Sequence, residues 1–225
     1  MQTKPIVIKL TGKVFEELKL LARYIGDLEK LAKNGKYVVV TGGGGIARKY
    51  ISMAKELGVK SNYWLDHIGI QASRLNALLL ISALYPYAYP KVVETLEEAV
   101  NAITNYNLVV MGGLIPGQST VAVAVEVAEA VGADTLVDIA AIDYVYDKDP
   151  KVYRDAQRLY TINASELAML LEQKKLPGEY ALIDTRALEL AIRSRIKIYV
   201  TYYKVPENLI KALRGENPGT IIYPR

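Results

Sequence analysis

Cysteine is absent from this 225-residue chain, which excludes thiolate metal sites, thiol nucleophiles and disulfides. Histidine occurs once, as His67, so a multi-histidine metal centre within one chain is excluded too. Phenylalanine is nearly absent, one residue against seventeen tyrosines, a bias compatible with a heat-adapted source in which thermolabile residues are scarce. No segment approaches the ~18 consecutive apolar residues of a membrane span. The opening MQTKPIVIKL lacks the long apolar stretch and small-residue cleavage site of a signal peptide. The expectation is a soluble, cytoplasmic protein with no membrane partner.

Charge of one sign is also in short supply. The 28 basic and 24 acidic residues leave a net +4, and the basic ones are scattered. No run of Lys and Arg is interleaved with aromatics, so nucleic acid is not an expected partner. With 51% hydrophobic residues, one compact unit can bury a large core unaided.

What is present is an alternation of periods. Pro5 to Leu10 reads as a buried strand. Val14 to Lys33 reads as a helix with Leu18, Leu21, Ile25, Leu28 and Leu31 on one face, stopped by Gly35 as a left-handed cap. Tyr37 to Val40 is a strand, Ile46 to Leu57 a helix ending at Gly58, and Tyr63 to Leu84 a longer helix. Pro86 and Pro90 leave a connection and a short strand; Leu108 to Met111 is a strand, followed by a helix reaching about Val131. Thr135 to Ile139, Lys197 to Thr201 and Thr220 to Ile222 read as strands, Ala187 to Ser194 as a helix. The fold class expected is α/β, an open, largely parallel central sheet flanked by helices on both faces.

Glycine-rich segments stand after three of these strands, where an open parallel sheet keeps its ligand site. Lys9-Leu10-Thr11-Gly12-Lys13 combines close backbone approach with mobile positive charge, or is a plain turn with two solvated lysines. Thr41-Gly42-Gly43-Gly44-Gly45, with Arg48 one turn into the next helix, favours an anion, because a loop shaped only for topology rarely uses four glycines. In Gly112 to Thr120, Gln118, Ser119 and Thr120 offer donors suited to a base edge, a ribose or a phosphate, or simply cap the helix. None is GxxxxGK(S/T) or a clean GxGxxG, which argues against P-loop enzymes and Rossmann dehydrogenases. The residues alone point to a multiply phosphorylated ligand gripped by several loops.

KLTGK, TGGGGIARKY, DHIGIQASRLNA, MGGLIPGQST, VYDKDP and GTIIYP, in this order over nearly the full length, resemble the amino-acid kinase superfamily and, within it, the archaeal type of uridylate (UMP) kinase. The most specific segment is Asp66 to Ala77, whose Asp, Gly, Ala-Ser-Arg and Asn-Ala spacing separates UMP kinases from relatives acting on carboxylates or carbamate. The resemblance implies transfer of the γ-phosphoryl of ATP to UMP with Mg²⁺, giving UDP and ADP in pyrimidine nucleotide biosynthesis. It also implies a homohexamer, a trimer of dimers, whose contacts the stretch Trp64 to Tyr89 could supply. It further implies a single amino-acid kinase domain over 1–225 with an N-terminal UMP lobe and a C-terminal ATP lobe. By matching position, Gly43 and Asp66 would contact UMP, and Leu114, Ile115, Pro116, Gly117, Gln118, Ser119 and Thr120 would wrap its base and phosphate. Lys9, Leu10, Thr11, Gly12, Lys13, Gly44 and Arg48 would lie along the ATP phosphates, Tyr146 and Asp149 on the adenosine side. Lys9 and Arg48 would stabilise the charge of the transferred group. Arg74 is left between substrate contact and ion pairing, and His67 reads as structural or exposed.

One loop departs from the family pattern. Where Thr-Asn-x-Asp-Gly-Val-Tyr is usual, this chain has Ala140-Ala141-Ile142-Asp143-Tyr144-Val145-Tyr146, and Asp138 puts a carboxylate in an otherwise apolar strand. Three outcomes fit: ATP held through main chain and Tyr146, an altered phosphoryl donor, or a regulatory or storage protein that binds nucleotide without transfer. A kinase for a carboxylate or isoprenoid phosphate is disfavoured by the acceptor motif.

Overall fold

Strand runs such as IVIKL, YVVVT and LVVM are apolar without alternation, so both faces of their sheet must be covered. The computed structural model describes residues 4–173 and 183–225. The first half comprises β1 (Ile6–Leu10), α1 (Leu18–Ala32), β2 (Tyr37–Thr41), α2 (Gly44–Glu56), α3 (Asn62–Leu84), α4 (Leu96–Asn105) and β3 (Leu108–Met111). Then follow α5 (Thr120–Ala130), β4 (Thr135–Ala140), β5 (Val145–Tyr146), β6 (Arg158–Leu159), β7 (Thr161–Asn163) and α6 (Ala164–Gln173). Last come α7 (Thr185–Ser194), β8 (Lys197–Tyr202), α8 (Glu207–Leu213) and β9 (Thr220–Tyr223).

The main sheet has the order β3-β2-β1-β4-β8-β9-β7, parallel throughout except between β8 and β9, while β5 and β6 pair as a separate antiparallel ribbon. Alternate residues serve opposite layers. Val7, Val38, Val109 and Leu136 pack with side chains of α4, α5, α6 and α7. Ile8, Leu10, Val39 and Val137 pack with α1, α3 and α8. The helix-flanked parallel sheet expected from the sequence is thus present. After β1 the chain moves to β2 on one side and later to β4 on the other, so the strand order reverses at β1 and β4 and their carboxyl ends open a crevice.

Several boundaries differ from the sequence reading. The expected helix from Val14 is a 3-10 turn over Gly12–Glu16, then an extended Glu17, and only then α1. Its buried stripe is Leu20, Leu21, Tyr24, Leu28 and Ala32, and Leu18 is 81% exposed, because the turn resets the helical phase. Gly35 has no left-handed φ; a side chain there would press on the Tyr37 ring. Gly58, at φ +87, does end α2. The strand expected after Pro90 is only two isolated bridges, Ala88 to Leu108 and Val93 to Met111, along the outer side of β3. Six elements went unread: α4, β5, β6, β7, α6 and α8. α4 carried a signal, since Thr95 accepts from the Glu98 N–H and Glu98 accepts from the Glu94 N–H, a capping-box pattern. Among the described residues no helix is long and apolar enough to cross a membrane.

One buried hydrogen bond ties α1 to the far end of the sheet. Tyr24 is buried and its hydroxyl donates to the Tyr203 carbonyl at 2.8 Å. Burial pushes its phenol well above the ordinary value, and Asp27 and Glu207 add to the effect against Arg23. A folded-state value above the unfolded one means this stability is complete below the unfolded value and fades as pH rises through the folded one. Tyr24→Phe is therefore expected to cost about 1 kcal/mol near neutral pH. The gap to the wild type should narrow in strongly alkaline buffer, as read by urea unfolding at both pH values.

Candidate active site

The three glycine-rich segments follow β1, β2 and β3; the first two meet beside the crevice, and the third is held against α3. Gly42 N–H donates to the Leu10 carbonyl at 2.9 Å, and Thr11 N–H donates to Ile139 at 3.0 Å, joining the ends of β1, β2 and β4. Gly12 and Gly44 lie backbone against backbone: a Cβ on either would overlap main-chain atoms of the other. Gly44 also holds φ +59, where other residues are strained. A Cβ on Gly43 would stand 2.6 Å from Ala47 Cβ and 3.1 Å from the Gly69 carbonyl. Packing alone thus demands Gly43 and Gly44 of the four, so close approach of the main chain is a reason for these glycines in its own right. α2 also begins at Gly44 rather than Ile46, and its N-cap residue, Gly43, has no side chain with which to cap it.

α3 is the spine that holds these loops. Asn76, buried, donates to the Gly42 carbonyl at 2.8 Å. Thr41 Oγ1 donates to the Ser73 carbonyl at 2.8 Å. Ser73 Oγ donates to Ile70 at 2.7 Å and accepts from the Gly113 N–H at 2.8 Å. Arg74 Nε donates to the Gly113 carbonyl at 3.2 Å, and its guanidinium pairs with Glu94 at 2.6 Å. Ser73, Arg74 and Asn76 thus hold the loops through main-chain atoms, and Arg74 makes an ion pair. Ser73, Asn76 and Glu94 were given no function from sequence, because backbone acceptors leave no residue pattern to read.

Lys9 is 8% exposed and stands 3.0 Å from Asp138, which is fully buried. Burial pushes the Asp138 carboxyl above its usual range, and the Lys9 ammonium pulls it back. Arg48 is exposed on α2 and pairs with Glu16 at 2.8 Å. Lys13 is half-buried in the 3-10 turn.

The remaining expected residues fall into two groups. In the loop before α5, Asp66 Oδ2 accepts from the Gly117 N–H at 2.9 Å, so Asp66 touches the segment expected to wrap the same ligand. Ser119 caps α5 through the Ala122 N–H, and Gln118 turns its amide onto Glu126 at 2.8 Å, leaving its own carbonyl oxygen buried without a hydrogen-bond partner among the described residues. Ile115 is exposed at the loop tip, with Leu114 partly buried beneath it. Tyr146 belongs instead to the β5–β6 ribbon, where its hydroxyl donates to Asp143 at 3.0 Å. Asp149 starts a turn, accepting from the Lys151 N–H at 2.9 Å. Arg158, unassigned from sequence, pairs with Asp143 at 3.0 Å and lies 4.8 Å over the Tyr144 ring. His67 stacks on Tyr63 and meets Trp64 edge-on, outside the loop cluster, as a structural histidine does.

The comparisons agree with this geometry. A model of the amino acid kinase family matches residues 4–202. The uridylate kinase of Staphylothermus marinus is 56% identical over 220 residues, 97% of this chain and 98% of its own length. That of Pyrobaculum aerophilum is 46% identical over 217 residues, covering 96% and 98%. The crystal structure of the uridylate kinase from Archaeoglobus fulgidus superimposes with a TM-score of 0.88 at 38% identity, covering 98% of this chain and all of the other. The order of loops along the sheet, the α3 spine beneath them and this full-length similarity lead to one conclusion: the chain belongs to the amino acid kinase family, among its uridylate kinases.

Proposed function

We propose that this protein transfers the γ-phosphoryl group of ATP to UMP, giving UDP and ADP, in cytoplasmic pyrimidine nucleotide biosynthesis. The observation that carries the reading is the backbone contact of Gly12 with Gly44: it holds the loop read for ATP against the segment whose neighbouring Gly43 is read for UMP. UMP is read against Gly43, Asp66 and Leu114 to Thr120, in the N-terminal lobe. ATP is read along Lys9 to Lys13, Gly44 and Arg48, reaching Tyr146 and Asp149 in the C-terminal lobe. Phosphoryl transfer needs alignment and positive charge about the equatorial oxygens, which Lys9, Arg48 and the glycine N–H groups supply. No general base is required, because the UMP phosphate is already an anionic nucleophile.

Among the described residues no group of three or more His, Asp or Glu could cage a metal. Mg²⁺, when bound, would enter with the nucleotide phosphates and offset their charge. Assembly as a homohexamer, a trimer of dimers, is supported by the apolar outer face of α2 and α3. Ile46, Tyr50, Ile68 and Leu75 line a groove of about 580 Å³ there, and Trp64, Leu78 and Leu79 are exposed beside it.

A second reading has one observation behind it. Ala140 and Ala141 offer methyl groups where the family has polar donors, and Tyr144 replaces the turn glycine by packing between Arg158 and Tyr160. The decisive assay supplies UMP and Mg²⁺ with ATP, GTP or CTP, at ambient and elevated temperature, with CMP competing and UDP detected directly. UDP formed in clear preference to CDP is expected, with the donor ranking reporting on the altered loop. Protein that binds UMP yet forms no UDP with any donor would overturn the kinase in favour of a nucleotide-binding protein.

A further inference from the structure

Lys9 and Asp138 are cross-strand partners in the parallel pair β1 and β4, on the layer shared with Val7 and Leu136. Everything else they face in the sheet is apolar: Lys9 aligns with Val40 on its other side, and Asp138 with Val200. Beyond the Lys9 contact, neither Asp138 oxygen has a hydrogen-bond donor among the described residues. Stability does not explain such a pair. Desolvating two charges offsets their attraction, and apolar residues of similar volume usually do as well or better. A lysine alone at this place would be a flexible four-carbon stem with its charge free to wander. Opposite a fixed carboxylate it becomes a located cation, with further N–H donors left for a ligand.

Resting on the kinase reading above, we infer that Asp138 is a positioning residue for phosphoryl transfer: its buried carboxylate keeps the Lys9 ammonium aimed at the carboxyl end of β1, beside the Gly12–Gly44 junction. The notable feature of the sequence, a carboxylate inside an apolar strand, thereby acquires a role that the substrate loops do not absorb. Asp138 touches no substrate in this account and acts only through Lys9.

The test uses the full chain. Asp138→Asn is expected to lower kcat about tenfold to a hundredfold while the UMP KM stays within about twofold, since a misaimed cation costs the transition state and not acceptor binding. Acylation of Lys9 by an amine-reactive ester, read by peptide mass spectrometry against Lys13 in the same molecule, is expected to quicken several-fold in Asp138→Asn. This second readout needs no turnover. An unchanged kcat in an active background, or an unchanged Lys9-to-Lys13 labelling ratio, overturns the inference. A wild type that makes no UDP overturns the kinase reading instead, and the labelling ratio still decides the positioning. The double variant Lys9→Met/Asp138→Leu separates the structural alternative: its urea midpoint is expected to equal or exceed that of the wild type, and a clearly lower midpoint would show that the pair exists for stability.

Discussion

Gly12→Ala is expected to remove most of the activity while leaving a folded protein. The new methyl group would overlap the main chain of Gly44 and approach the Gly42 carbonyl to 2.8 Å. Backbone is on both sides, so no side chain can rotate away, and the loop after β1 must part from the loop after β2. Overpacking of this kind costs ~1–3 kcal/mol. Misplacing reacting groups by an ångström costs about 10²-fold in rate, so kcat/KM should fall by at least that factor. Gly26→Ala is the matched control. Gly26 lies within α1, where an added Cβ meets nothing within 4 Å. There the exchange should stabilise the protein by about 0.5–1 kcal/mol through helix propensity, with unchanged kinetics. Urea unfolding and UDP formation measured on both variants would separate the two effects. Equal kinetics for Gly12→Ala and Gly26→Ala would show that the loop junction has no part in turnover.

Asn76→Leu should give the second large effect, concentrated on the acceptor. Leucine keeps the branching of asparagine, with bulkier ends, but donates nothing, so the buried Gly42 carbonyl loses its side-chain partner. An orphaned buried acceptor costs about 1–3 kcal/mol. The loss lands on the segment next to Gly43, and the UMP affinity measured by calorimetry is expected to weaken about tenfold or more, by the same energy scale. ATP, gripped from the β1 loop, should be affected less. Equal weakening of both nucleotides would mean that Asn76 supports the sheet as a whole and not the acceptor loop.

The legibility of the molecule follows the kind of signal each part carries. The apolar strands were readable because burial on both faces removes most polar residues from a run, as in Val38 to Val40 and Leu108 to Met111. The loops were found because glycine marks close approach, but the partner approached could not be known. That Gly44 answers Gly12 is a fact of tertiary structure that no local pattern records. Asp66 was marked as a ligand residue and stands beside the expected acceptor loop, whereas Gln118 spends its amide on Glu126. The phase of α1 was misjudged because Leu18 to Leu31 fits a helical period equally well with the buried stripe shifted, and only the 3-10 turn before it chooses between them. The short α8 and the β6–β7 stretch are too brief for any period to show.

The two isolated bridges along β3 bear on how copies of this chain can meet. A bare outer strand is a template onto which another chain can add its own backbone. Here Tyr89 N–H donates to the Leu108 carbonyl at 2.8 Å and Val93 N–H donates to Val110 at 3.1 Å, so the segment from Ala88 to Val93 already occupies that template, while Pro90 within it has no N–H to offer outward. This flank of the molecule is sealed against strand addition, a common first step of fibrous aggregation. Copies of the chain that meet on this side must recognise one another by side-chain shape, not by continuing the sheet.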